Sequence, residues 1–152
     1  MNYAIDSLAQ KFIVGIAVRT SNLKAAQDIP ALWQQFHQTQ VFQRITNKKS
    51  NYIFALYCDY EGDYTKPYTC LIGCEVTSTD HIPQDMVIKE TPKSMYVVFK
   101  SQGEFPAELI KTWHAIWQAP LNRTYTGDFE LYAPNFDPIE NPEVDVYIAV
   151  KK

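Results

Sequence analysis

The sequence predicts an α+β fold in which two βαββ units join into one antiparallel sheet carrying two helices. Three observations lead there. The segments recur in the same order in both halves of the chain. Their apolar residues superimpose at nearly constant offsets. Each half alone would leave an apolar sheet face and an apolar helix stripe uncovered, and joining the halves buries both.

The elements follow in order. Phe12 to Val18 (FIVGIAV) is a β-branched run and reads as a strand. Ile29 to Gln40 carries Ile29, Leu32, Trp33 and Phe36 on one stripe at helical spacing, with Asp28 and Pro30 suited to its first turn. Tyr52 to Tyr60 is strand-like, Glu61-Gly62-Asp63 is a turn, and Tyr68 to Thr77 is a further strand. The second half repeats this order. Ser94 to Ser101 is a strand, and Pro106 to Gln118 is a helix with Leu109, Ile110, Trp113, Ile116 and Trp117 on its apolar side. Asp128 to Ala133 and Val144 to Val150 are strands, separated by a loop over Pro134 to Pro142.

The halves, about 12–78 and 92–151, can be overlaid. The offsets are 77 (Leu32 to Leu109, Phe36 to Trp113), 75 (Phe54 to Phe129, Tyr57 to Tyr132) and 74 (Cys70 to Val144). A pseudo-twofold axis between the halves is expected, with a cleft at the junction as the natural ligand site. The whole of 1–152 is expected to form a single domain.

Composition narrows the function. The chain is 46% hydrophobic and 14% aromatic, with a formal net charge of −3, which lacks the basic footprint of a nucleic-acid binder. No apolar run reaches the roughly 18 residues of a membrane span. No basic-then-apolar leader opens the sequence, so a cytoplasmic location is expected. Cys58, Cys70 and Cys74 read as buried thiols. His37, His81 and His114 lack metal-ligand spacing, and Asp59, Glu61 and Asp63 fail the pattern of a calcium loop. No nucleophile elbow and no phosphate loop appears. Neither a metal nor a cofactor is expected, and no catalytic residue is assigned.

An ordered set of segments carries a resemblance. Asp59-Tyr60-Glu61-Gly62-Asp63-Tyr64 leads into Tyr68 to Val76. Ile82-Pro83, Tyr96 to Phe99, Trp113 with Ile116-Trp117, Asp128 to Tyr132 and Glu143 to Ile148 follow. This set resembles the GyrI-like effector-binding family, in its stand-alone branch of Cass2-like and YdeE-like proteins, over about Phe12 to Val150. The resemblance implies a duplicated βαββ fold that binds hydrophobic, often cationic, small molecules in an aromatic pocket with a buried acid. Relatives fuse this domain to AraC-type or MerR-type DNA-binding modules. No such module is expected here outside Phe12 to Val150, so any DNA contact would come from a separate partner.

Two acids are the site candidates. Glu75 shares a strand face with Leu71 and Gly73, and Gly73 is expected to leave room for a ligand ring beside the carboxylate. Glu130 alternates with Asp128 and Tyr132. Its Phe-Glu-x-Tyr setting matches the place where the family's drug-binding acid sits. Under the overlay Glu130 falls on Ala55 and Glu75 on Ala149, so each half contributes one unmatched acid. Tyr57, Tyr132 and Tyr147 are expected as walls from the strands, with Trp33, Phe36, Trp113 and Trp117 from the helices. Asp145 is a further acid on the face of Tyr147. The expected function is a stand-alone effector-binding protein, serving sensing or sequestration linked to transcription regulation. A hydrolase of reactive small molecules and a protein-interaction module are the alternatives.

Overall fold

The computed structural model describes residues 3–151. Met1, Asn2 and Lys152, which the single-domain expectation includes, lie outside the described residues. The elements are β1 (Tyr3–Leu8), β2 (Lys11–Thr20), α1 (Ala25–Gln38), α2 (Val41–Arg44), β3 (Ile53–Cys58), β4 (Tyr68–Glu75), β5 (Val87–Thr91), β6 (Ser94–Ser101), α3 (Ala107–Gln118), β7 (Asp128–Tyr132) and β8 (Val144–Val150). The strands form one sheet in the order β1-β6-β8-β7-β3-β4-β2-β5. All neighbours are antiparallel.

The expected α+β fold is therefore present, and both halves show the β-α-β-β order. One more strand precedes each half. Strands β1 and β5 are edge strands that pair with the other half, β1 on β6 and β5 on β2. They escaped the sequence reading because Tyr-Ala-Ile-Asp-Ser-Leu and Val-Ile-Lys-Glu-Thr are short and mixed in polarity. A long-range pairing, not a local apolar pattern, makes them strands. The single turn α2 is too short to show a helical period.

Helix α1 starts four residues before the expected Ile29. Ala25 and Ala26 are strong helix formers and extend it toward β2. Asp28 lies in the first turn, where its Oδ2 accepts a hydrogen bond from Thr20 Oγ1 at 2.9 Å and ties the helix to the end of β2. Pro30 lies inside the helix rather than at its start.

Reversing the strand order exchanges β1 with β5, β2 with β6, β3 with β7 and β4 with β8. The pseudo-twofold axis thus passes between β3 and β7. The register places it more finely. Phe54 faces Leu131, Leu56 faces Phe129, and Ala55 faces Glu130. The first two pairs interchange under the repeat, whereas Ala55 and Glu130 map onto each other. The axis passes between these two residues.

The core lies on both sheet faces. Leu32, Phe36, Leu109 and Ile116 of the helices pack on one face against Val14, Ile16, Ala55, Ile72, Val146 and Ile148. The other face buries Ile13, Phe54, Leu56, Leu71, Tyr96, Phe129 and Ala149, and among the described residues no helix residue joins that cluster. The sheet curls to cover this face itself. A Cβ on Gly127, just before the central strand β7, would lie 3.2 Å from Thr91 of the edge strand β5. Among the described residues, no helix is long and apolar enough to cross a membrane.

Candidate ligand-binding cleft

A cleft of about 1320 Å³ opens on the helix-bearing face, between α1 and α3 and above the central β3–β7 pair. Ligand sites for drug-sized molecules span roughly 300–1,000 Å³, so this one suits a bulky ligand. Trp33, Phe36, Tyr57, Trp113, Glu130 and Tyr132 all line it. Six of the eight expected ligand-binding residues are thus brought together.

Glu130 lies on the floor and is 4% exposed. Tyr132 donates its hydroxyl to Oε1 at 2.6 Å, and Tyr57 donates to Oε2 at 2.8 Å. The Trp113 indole N–H also donates to Oε2, at 2.8 Å. Burial holds the carboxyl above its ordinary range, while these three donors pull it back down. Burial and then the nearby carboxylate push the Tyr57 hydroxyl far upward, and the same two causes act on Tyr132. Both phenols therefore stay protonated and serve as donors. Among the described residues, no Lys, Arg or His forms an ion pair with Glu130. Its charge is met by neutral donors alone.

The repeat explains why one acid stands here and not two. Ala55 and Glu130 are equivalent in the overlay and are also direct cross-strand partners. A glutamate at both positions would place two carboxylates side by side in a buried site, where both cannot stay ionised. Ala55, fully buried, leaves the space to one.

The walls are rings. Trp33 of α1 meets Tyr132 edge-on at 5.0 Å, and Trp113 of α3 meets Tyr57 edge-on at 5.2 Å. Phe136 stands 5.0 Å beyond Tyr132, and Tyr68 stands 5.7 Å beyond Tyr57. At the rim, Tyr64 stacks on Trp117 at 5.6 Å. His37 and His114 are exposed at the border, each beside a tryptophan.

Glu75 and Tyr147 stand elsewhere. Both belong to the opposite sheet face, and neither lines the cleft. Glu75 pairs with Lys11 at 3.6 Å and Lys49 at 3.4 Å. Gly73 leaves no space for a ring, because a Cβ there would fall 1.9 Å from the carbonyl oxygen of Val14. It faces Gly15 on β2, and the pair of glycines lets the two backbones approach closely. Tyr147 stacks on Phe129 at 4.7 Å in the second core cluster. Asp145, on the same face, lies 3.9 Å from Lys100.

The structure adds lining residues that the sequence reading passed over. Tyr60, expected as the end of a strand, lies beyond the end of β3 at Cys58, Tyr64 follows the turn at Glu61-Gly62-Asp63, and Tyr68 is the first residue of β4. Arg123 comes from a loop that bridges to β8 at Val150. Its Nη2 donates to Asp128 Oδ2 at 2.7 Å, and Tyr60 donates to the same oxygen at 2.6 Å. Asp128 alternates with Glu130, and that spacing was the one available hint of this second buried acid.

A pseudo-symmetric sheet with an acid-floored aromatic cleft at its axis is the architecture of an effector-binding domain. The chain belongs to the Cass2 family of integron-associated effector-binding proteins, which it matches over residues 4–150. It is 33% identical over 155 residues to YobU of Bacillus subtilis (strain 168), whose name places it among transcriptional regulators, with 97% of each chain covered. It also resembles the integron cassette protein VCH_CASS2 from the mobile metagenome of Vibrio cholerae (TM-score 0.75, 25% identity, 98% of this chain and 95% of that one). SAV2435, solved bound to tetraphenylphosphonium, shares the fold (TM-score 0.83, 23% identity, 99% and 94%).

Proposed function

We propose that this protein captures hydrophobic organic cations in the aromatic cleft, with Glu130 as the charge anchor, and serves sensing or sequestration linked to transcription regulation. One observation carries the reading. A buried carboxylate ringed by three neutral donors and by aromatic walls offers a charge for a ligand to complete. A carboxylate taken out of water is costly without a counter-charge. An aromatic cation supplies that charge and gains about 0.5–2 kcal/mol over a ring face. The regulator name of YobU and the phosphonium ligand of SAV2435 support the same reading.

The test uses two isosteres of opposite charge. Tetraphenylphosphonium should quench tryptophan fluorescence saturably, since all three tryptophans line the cleft. Tetraphenylborate has the same shape and should not bind. Equal binding of the two would refute charge recognition. Binding of neither would leave a protein-interaction role as the better reading.

A further inference from the structure

The acid of the cleft lies beside the pseudo-twofold axis, and aromatic rings stand on both sides of it. Tyr57 and Tyr132 are repeat equivalents, and each donates to a different oxygen of Glu130. Each tyrosine is backed by a tryptophan, Trp113 for Tyr57 and Trp33 for Tyr132. Each also carries a second ring, Tyr68 on one side and Phe136 on the other. The negative charge is therefore central, and the aromatic walls stand to either side of it.

A ligand that fills such a site has its own charge in the middle. We infer that the cleft selects cations whose charged atom is flanked on two sides by aromatic groups, over cations of equal size that carry the charge at one end. An end-charged molecule places its charge over Glu130 only by leaving one wall without a ring. The inference rests on the cation reading above and specifies the ligand class for that same site.

The third donor to the acid has no counterpart across the axis. Trp113 donates its indole N–H to Glu130 Oε2 at 2.8 Å, whereas its repeat equivalent is Phe36, which has no donor. Trp113 is the positioning residue that favours the acid at 130 over 55. The two tyrosine donors would serve an acid at either place.

Two isomers of identical formula and charge test the selection. Dibenzyldimethylammonium carries its nitrogen between two benzyl groups. (4-Benzylphenyl)trimethylammonium carries it at one end. Calorimetric titration of the native protein should show the first binding tenfold or more tightly. Affinities within twofold, a reversed order, or no binding of either isomer would overturn the inference. Indifference to the isomers, with tetraphenylphosphonium binding still lost in Glu130→Gln, sinks the central-charge selection alone. Failure of tetraphenylphosphonium as well sinks the cation reading beneath it. A second measurement moves the acid across the axis. The double variant Glu130→Ala/Ala55→Glu should keep the isomer preference at reduced affinity, and adding Phe36→Trp should tighten it again. A folded double variant that binds the end-charged isomer more tightly would refute the equivalence of the two sides.

Discussion

Replacing Glu130 with Gln keeps the size of the side chain and one accepting oxygen, and removes the charge. With phenyl groups holding the phosphorus of tetraphenylphosphonium about 6 Å from the carboxylate, and an effective dielectric of about 20, the lost attraction is about 2.8 kcal/mol. That corresponds to roughly a hundredfold in Kd. The attraction acts through a buried site, so salt should change it little. Folding supplies the control. Burial raises the Glu130 carboxyl above its ordinary range. Its contribution to stability is present below the unfolded carboxyl value and is lost as pH rises through the folded one. At neutral pH the ligand-free Gln variant should therefore melt no lower than the parent. Glu75→Gln, on the opposite face beside Lys11 and Lys49, should bind as the parent does. Titration by tryptophan fluorescence, with a thermal melt of each variant, reads all of this. An affinity within threefold of the parent for Glu130→Gln, or an equal loss in Glu75→Gln, would refute the reasoning.

Affinity for tetraphenylphosphonium should fall as pH drops through the raised range of the Glu130 carboxyl, by up to tenfold per pH unit, because each cation must then displace a proton. Tyr57, Tyr68, Tyr132 and Cys70, the titratable groups coupled to it, are all held upward and stay neutral, so Glu130→Gln should give a much flatter profile. Trp113→Phe keeps the ring and removes one donor from Glu130 Oε2, which should weaken cation binding by about 1 kcal/mol, roughly fivefold, as measured by calorimetry. Gly73→Ala forces a methyl to within 1.9 Å of the Val14 carbonyl oxygen, and the β2–β4 pair must part to admit it. The expected loss is about 3 kcal/mol, a fall in Tm of roughly 6–12 °C, and an unchanged melt would refute the close-approach role of the glycine pair.

The residues themselves were enough for the layer architecture and its symmetry. Alternation along Tyr68 to Thr77 and Val144 to Val150 and the helical stripes Leu32-Phe36 and Leu109-Trp113 are local patterns, and local patterns suffice to name strands and helices. The overlay also paired Ala55 with Glu130 and Tyr57 with Tyr132, which are the residues at the axis. Two things waited for the tertiary structure. A period of two sorts residues into two faces but does not say which face the helices cover. Glu75 and Glu130 therefore looked alike in sequence, yet only Glu130 faces the cleft. Long-range pairing decided the rest. It made strands of β1 and β5 through partners in the opposite half, and it carried Tyr64 and Arg123 to the cleft wall from loops with no periodic signal. Local stereochemistry determines what each segment becomes, whereas the side of the sheet on which a side chain meets its neighbours depends on how distant segments close upon one another.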